Sequence, residues 1–363
     1  MARSEVIILS VSQGRGHGAE QALAALLASV PEADRGRISI CSPLDSALHG
    51  FAMDAGYRWI EWLASRDCFR ENARACRHLH RADNLAGYDV IFAWSTRAFE
   101  WALRLSRRTG TRCMGRMSDH PRLHLHSAAR RMVIRWTANR LSVCVFPSAA
   151  LADAARECGI TTHREVIYNA VQVPEDVPSY PMDHGPLNVG FLGCYAHWKG
   201  IQVLRRMIEA TRDLPIQWHL FGDVATDVAP DVDAIRRHDS VHVHGHCEAG
   251  SVYPSVDITF HPSVAFDPSP NVVPESLAMG RPVIASDVGG TAEMLEPNVN
   301  ALLFDAQAPD SAREHLNSLL ENRDTIREMG ARGREFVRER FSPSEAVRRY
   351  TQAWDEAGGQ RHT

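Results

Sequence analysis

Short apolar runs alternate along this chain with longer stretches whose apolar positions recur every three or four residues. The runs Val6–Ser10, Arg37–Cys41, Tyr88–Ala93, Arg112–Met117, Leu141–Phe146 and Glu165–Tyr168 predict strands, and helical spacing predicts Ala19–Leu27 and Ala149–Cys158 between them. A Pro-rich polar stretch, Val173–Pro186, interrupts the pattern and reads as an interdomain linker. The alternation then restarts. Leu187–Leu192, Ile216–Gly222, Val241–His244, Ile258–His261 and Pro282–Ser286 predict strands. Gly200–Thr211, Val273–Met279, Ser311–Asn322, Arg323–Arg340 and Ser344–Glu356 predict helices. Such β-α alternation argues for parallel sheets covered on both faces, so two doubly wound α/β domains are expected in series. The expected division is 1–178, 179–340 and a terminal helical segment 341–363. The carboxyl ends of both sheets are then the default place for a ligand, in a cleft between facing domains.

Composition narrows the class. A chain of 363 residues exceeds one ordinary core, and 44% hydrophobic with 23% charged residues excludes a disordered or collagen-like protein. No stretch approaches the ~18 consecutive apolar residues of a membrane span. The start, Met1 to Ser10, is too short and too acidic for a signal peptide. Eight cysteines without a C-x-x-C pair suggest neither a zinc knuckle nor a disulfide framework, so a reducing cytoplasm is the expected home. Charge is uneven. Residues 1–175 carry 23 arginines against 17 acidic residues, while the remainder carries 17 basic against 27 acidic residues. The basic half suits an anionic partner or a membrane surface, or it is a simple dipole between two domains. Of 40 basic residues only Lys199 is a lysine.

The chemistry concentrates in His261–Ser286: a strand, a loop of Pro, Ser and Asn, a short helix beginning near Val273, and another strand. That loop leaves the N–H groups of Asn271, Val272 and Val273 at a helix N-terminus, where a phosphate is favoured. Asp267 and Glu275 stand eight positions apart, one at the start of the loop and one in the helix. A carboxylate there suits the vicinal hydroxyls of a sugar or ribose, from which it accepts in pairs, or it serves only as a helix-capping acid.

This segment resembles the C-terminal motif of group 1 glycosyltransferases (glycosyltransferase family 4, GT-B type fold). Their pattern is two glutamates separated by seven residues, then a small-residue helix, Gly-x-Pro-Val-Ile and Gly-Gly. Asp267 stands where the first glutamate is usual, Glu275 matches the second, and Gly280, Pro282, Val283, Ile284, Gly289, Gly290 and Glu293 match the remainder of the motif. Val189-Gly-Phe-Leu-Gly193 with Lys199-Gly200, Leu220-Phe-Gly-Asp223 and Val243-His-Gly-His246 keep the family order, as do Tyr168-Asn169-Ala170-Val171 and Phe341-Ser342. The resemblance is dense over 165–356 and thinner over 1–164. It implies two Rossmann-like domains facing across a cleft, with the C-terminal helix crossing back to the N-domain. It also implies a C-terminal domain that holds a nucleotide-sugar donor at Gly193, Gly222, Asn271, Val272, Val273 and Glu275. Glu275 would bind ribose hydroxyls, Asp267 the transferred sugar, and Lys199 the diphosphate. Family members need no metal, because cations and helix N-termini meet the charge that develops on the departing nucleoside diphosphate. No cofactor is implied beyond the donor itself. The family usually places an arginine directly after the glycine of the first strand, where this chain has Cys194.

In the N-terminal half, Gln13–Glu20 is a glycine loop between strand and helix whose Gly14, Gly16 and Gly18 are not spaced as in dinucleotide binders. The resemblance implies that it closes over the donor phosphate, Gly16 and Gly18 permitting close approach. It is otherwise a tight turn. His120, at the end of a predicted strand, sits where the family often places a histidine near the reacting sugar, with Asp119 able to orient its ring. His120, His124 and His126 lack a cysteine or further acid to complete a metal site, and no metal is expected. His242, His244 and His246 alternate along one strand and read as solvent-facing polar residues. Ala128–Arg140, with Arg130, Arg131, Arg135 and Arg140, is a basic amphipathic helix. Either it touches an anionic membrane surface, or it is a solvated face packed on the sheet by Val133 and Trp136. Nucleic acid is not an expected partner of a chain that is acidic overall.

The expected function is a retaining, metal-independent transfer of a sugar from a nucleotide-diphosphate sugar to a hydroxyl acceptor, with His120, Lys199 and Asp267 nearest the chemistry. The departures at Cys194 and Asp267 carry the alternative, a catalytically silent GT-B partner protein that keeps a nucleotide pocket.

Overall fold

The computed structural model describes residues 3–12, 18–64, 68–82, 85–122, 128–177, 185–247 and 249–359. The chain forms two compact units, Met1–Ala170 with Pro343–Thr363, and Val171–Ser342.

The first unit is built on seven parallel strands: β1 (Val6–Leu9), β2 (Ile38–Ser42), β3 (Arg58–Glu61), β4 (Val90–Ala93), β5 (Arg112–Arg116), β6 (Val143–Phe146) and β7 (Arg164–Val166). Their order is β3-β2-β1-β4-β5-β6-β7, so the winding reverses between β1 and β4. β1 and β4 are buried along their whole length, which their unbroken apolar sequences require. The final helix, Pro343–Gly359, returns to this unit and sets Ala346, Tyr350, Ala353, Trp354 and Ala357 into its core. Phe92 meets Tyr350 and Trp354 at ring distances of 5.8 and 5.9 Å, and the Ser4 N–H donates to Asp355 Oδ1 at 2.8 Å. Burying each of the two large rings contributes about 2–3 kcal/mol.

The second unit carries six parallel strands: β8 (Leu187–Leu192), β9 (Ile216–Phe221), β10 (Val241–Gly245), β11 (Ile258–His261), β12 (Val283–Ser286) and β13 (Ala301–Phe304), in the order β10-β9-β8-β11-β12-β13. The helices Ile201–Ala210 and Asp310–Glu321 bury Leu204 and Leu316 against Val189, Trp218, Leu220, Phe260 and Ile284. Two doubly wound α/β units thus bear out the expected fold class, and the terminal helix packs on the N-terminal unit.

Three details differ from the sequence-based expectation. β3 and β13 were not predicted: β3 turns only Ile60 fully inward, and β13 is a four-residue edge strand after a turn. The basic helix, Ala128–Ala138, does not pack through Val133 and Trp136, each 43% exposed; its inward residues are Thr137 and Ala138. The Pro-rich stretch begins inside the second unit, because Arg334 donates to the carbonyls of Pro174 and Glu175 at 2.6 and 3.3 Å. Residues 178–184 lie outside the described residues. No helix among the described residues is long and apolar enough to cross a membrane.

Candidate active site

At the carboxyl ends of β8 and β9 the chain turns on glycines. Gly193 and Gly222 adopt φ of 139° and 143°, values open to glycine and strained for other residues. They lie against each other: a Cβ on Gly222 would stand 1.9 Å from the Gly193 carbonyl oxygen. The Gly222 N–H donates to Gly245 O at 2.7 Å and the Gly193 N–H to Phe221 O at 2.9 Å, so the ends of β8, β9 and β10 are stitched backbone to backbone.

Beyond Gly193 the chain passes Cys194, which is exposed, and Tyr195, then makes one turn of 3-10 helix, His197–Lys199. Gly200, at φ 78°, ends that turn and caps the helix Ile201–Ala210. Only glycine fits there, since a Cβ would fall 1.8 Å from the Pro262 carbonyl oxygen. The Val264 N–H donates to Trp198 O at 3.0 Å from the same loop. The Lys199 turn is thereby pinned to the loop after β11. Its ammonium lies 4.4 Å from the centre of the Trp198 ring and 2.6 Å from Asp267 Oδ2.

Asp267 is the most enclosed acid of the site, with 6% of its side chain exposed. Burial raises the pKa of its carboxyl group. The charge of Lys199 and the contact with His261, whose Nε2 lies 3.6 Å away, more than offset that and hold the group well below the usual carboxylate range. His261, the last residue of β11, is pushed down by burial and by Lys199 against the pull of Asp267, and it pairs with Ser263 Oγ at 3.1 Å. The loop after β12 closes the backbone side: the Gly290 N–H donates to Asp267 O at 2.8 Å, and a Cβ on Gly289 would stand 2.4 Å from that oxygen. Two residues 68 positions apart, Lys199 and Asp267, are therefore locked together by three loops.

Glu275 lies on the helix Val272–Ala278, half-buried, its pKa raised by burial and close enough to Tyr253 to oppose ionisation of that phenol. Asn271 precedes the helix in αR conformation. The Val273 N–H, expected from the sequence to be open for an anion, is instead engaged by Pro270 O at 3.1 Å, because the helix begins with a tight turn. Val272 opens the helix.

In the first unit, His120 is partly exposed and its Nδ1 accepts from the Arg122 N–H at 3.0 Å, so a neutral ring carries its proton on Nε2. The same strand end holds Arg116, 1% exposed, which donates to Ser118 Oγ and to Asn169 Oδ1 and lies over the Trp94 ring at 4.7 Å. Gly18 begins the helix Gly18–Ala28; Gly16, His124 and His126 lie outside the described residues. Within the second unit, then, the structure joins Lys199 to Asp267 and Gly193 to Gly222. Sequence reasoning assigned no role to His261, Ser263 and the Gly289–Gly290 backbone. Their signal was only the match of Gly289 and Gly290 to a family pattern.

Chemically, a buried carboxylate paired with an ammonium beside glycine turns can exchange that ammonium for the hydroxyl donors of a bound sugar. The freed cation is then available to an anion. Residues 186–322 match the family model described as glycosyl transferases group 1. An uncharacterized glycosyltransferase of Methanocaldococcus jannaschii is 26% identical over 204 residues, covering 53% of each chain. The chain spans about half the length of the curated relatives it matches. Among solved structures, Anabaena HepE in complex with UDP and glucose superposes with a TM-score of 0.84 at 19% identity, covering 97% of this chain and all of that one. Sucrose-phosphate synthase from Thermosynechococcus elongatus does so at 0.79 and 17%, covering 99% of this chain and all of that one. The fold is of the GT-B type, and the resemblance read from the motifs holds for the C-terminal unit.

Proposed function

We propose that the protein transfers a sugar from a nucleotide-diphosphate sugar to a hydroxyl acceptor. The observation that carries this reading is the Lys199–Asp267 pair, built at the strand ends inside the segment that matches group 1 glycosyl transferases. The UDP and glucose bound to Anabaena HepE support a nucleoside-diphosphate sugar as donor. Lys199 would leave Asp267 for the diphosphate and stabilise its growing charge as the glycosidic bond breaks. Asp267 would then accept from hydroxyls of the transferred sugar, and Glu275 from the ribose. His120, with its proton on Nε2, would donate to a sugar oxygen. In this reading the cationic work falls to Lys199 and the peptide dipoles, the reaction needs no metal, and the anomeric configuration is retained.

The test is incubation with a panel of nucleotide-sugars, reading donor hydrolysis and transfer, and calorimetry with UDP and GDP. Glu275→Ala and Lys199→Met should lose nucleotide affinity and turnover. Absence of binding to any nucleoside diphosphate at millimolar concentration refutes the proposal. Binding without turnover on any donor, unchanged in Cys194→Arg and Asp267→Glu, would instead identify a silent nucleotide-binding relative.

The helix Ala128–Ala138 supports peripheral contact with an anionic membrane. Met132 (61% exposed), Val133 and Trp136 project among Arg130, Arg131 and Arg135, and Trp136 is flanked by Arg140 and Arg107 at 3.9 and 5.1 Å. Co-sedimentation with phosphatidylglycerol but not phosphatidylcholine vesicles, lost in Trp136→Ala, is the expected outcome; equal recovery with both lipids refutes it.

A further inference from the structure

One carboxylate oxygen of the second unit faces two nitrogen partners. Asp267 Oδ2 lies 2.6 Å from Lys199 Nζ and 3.6 Å from His261 Nε2. The two partners are placed differently. Lys199 arrives on the 3-10 turn His197–Lys199 and keeps 15% of its side chain in solvent, whereas His261 ends β11 with 5% of its side chain exposed. The His261 backbone is held in the sheet opposite Ala285 of β12, and Ser286 Oγ donates to its carbonyl at 3.4 Å. The buried Ser263 Oγ stands 3.1 Å from the same Nε2. Lys199 is thus the partner that can leave Asp267, and His261 the one that stays.

Few charges surround the ring. β8 and β12, the strands on either side of β11, carry no ionisable side chain. The helix Val272–Ala278 carries Glu275, the turn after β8 carries His197 and Lys199, and the loops after β11 and β12 carry Asp267 and Asp287. Of these, Lys199 and Asp267 are the ones that act on the ring, Lys199 against its protonation and Asp267 in favour of it. Burial adds to the effect of Lys199, so the ring is neutral at pH 7 while the ammonium occupies Oδ2.

We propose that His261 takes over from Lys199 as the cation of Asp267 when a nucleotide-sugar binds, so that the protein takes up a proton with its donor and returns it on release. The inference rests on the reading of Lys199 as the cation that moves to the diphosphate. That move strands a carboxylate enclosed by three loops, and the hydroxyls of a sugar offer it hydrogen bonds but no charge. The proton comes from solvent to the bare nitrogen of the imidazole, and the Nε2–H of the resulting imidazolium donates to Asp267 Oδ2. One positive charge leaves the carboxylate and one replaces it. His261 is therefore a positioning residue, acting through Asp267. A proton held more tightly in the complex than in the free protein strengthens binding at low pH, and the gain is lost as pH rises through the pKa of His261 in the complex.

The test is calorimetric titration of the full chain with a panel of nucleotide-sugars begun with UDP-glucose and GDP-mannose, whose diphosphate diesters do not titrate near neutral pH. Running each at pH 7 in Pipes and in imidazole buffer gives the proton uptake from the difference in heat. About half a proton or more per donor bound is expected, with affinity falling about tenfold between pH 6 and pH 8. His261→Gln should bind without uptake and with a flat pH profile, matching the parent at pH 8 and binding about tenfold more weakly at pH 6. Asp267→Asn removes the charge to be answered and should also lose the uptake; it decides should His261→Gln not fold. An uptake below about 0.1 proton in the parent, or one retained in either variant, overturns the proposal. Failure of every nucleotide-sugar in the panel to bind overturns instead the reading of the site on which it rests.

Discussion

Replacing Lys199 by Met removes one partner of a nearly enclosed ion pair and keeps the length of the side chain. Asp267 would be left as a carboxylate with 6% of its side chain in solvent and no cation at 2.6 Å. Breaking a buried pair in this way costs about 3–5 kcal/mol, whereas an exposed pair costs less than about 1. Asp267→Asn is milder, about 1–2 kcal/mol, because the Lys199 side chain is 15% exposed and can reach water. The double variant should then recover about 2 kcal/mol relative to the sum of the single ones. His261 gives the cycle a second axis. Lys199 is one of the groups holding the His261 pKa down, and Asp267 pulls it up. With Lys199 gone, His261 takes up a proton more readily beside Asp267. A histidine whose folded pKa is raised stabilises the fold below its unfolded value, and this is lost as pH rises through the folded value. The deficit of Lys199→Met should therefore be larger at pH 8 than at pH 5.5. Urea unfolding followed by tryptophan fluorescence and far-UV circular dichroism, without nucleotide, measures both. A cost below about 1 kcal/mol at pH 8, or one independent of pH, would show that the pair is solvated and the reasoning wrong.

Gly222→Ala drives a methyl into the Gly193 carbonyl and should cost more than about 4 kcal/mol, whereas Gly245→Ala meets nothing within 4 Å and should cost only the left-handed strain, about 1–2 kcal/mol; thermal melts compare them. Burial raises the Glu275 pKa, so its charged form opposes folding above that value; Glu275→Gln should melt higher at pH 7.5, with the gain fading toward pH 4, while nucleotide affinity is lost in the same protein. The depressed Asp267 pKa has the opposite sign: it stabilises the fold above the unfolded carboxylate value, and this is withdrawn as acid brings the pH down through the folded one. Acid titration of the parent should thus lose a component that Asp267→Asn lacks.

Most strands inside the two sheets are legible as apolar runs, because both of their faces are buried. Among the edge strands β10 is legible from its alternation, whereas β3 turns only Ile60 fully inward and β13 is a four-residue apolar run without alternation. Lys199 stood out as the lone lysine and Asp267 by its spacing from Glu275, but that the two touch is a consequence of how three loops close on glycines. His261 was invisible for a related reason: a histidine ending an apolar strand has the same local sequence whether it fills space or steadies an acid. The inward side of the helix Ala128–Ala138 was misjudged because its larger apolar residues are the ones left outside.

The core of the first unit is completed by residues that come after the second unit in the chain. During synthesis, therefore, the first lobe must wait while some 170 further residues leave the ribosome, its hydrophobic interior lacking Tyr350 and Trp354 throughout. Vectorial folding cannot finish the first lobe first, as it does in proteins whose domains are contiguous. Premature termination anywhere before the last helix would yield a nascent chain with an open seam, a ready client for chaperones.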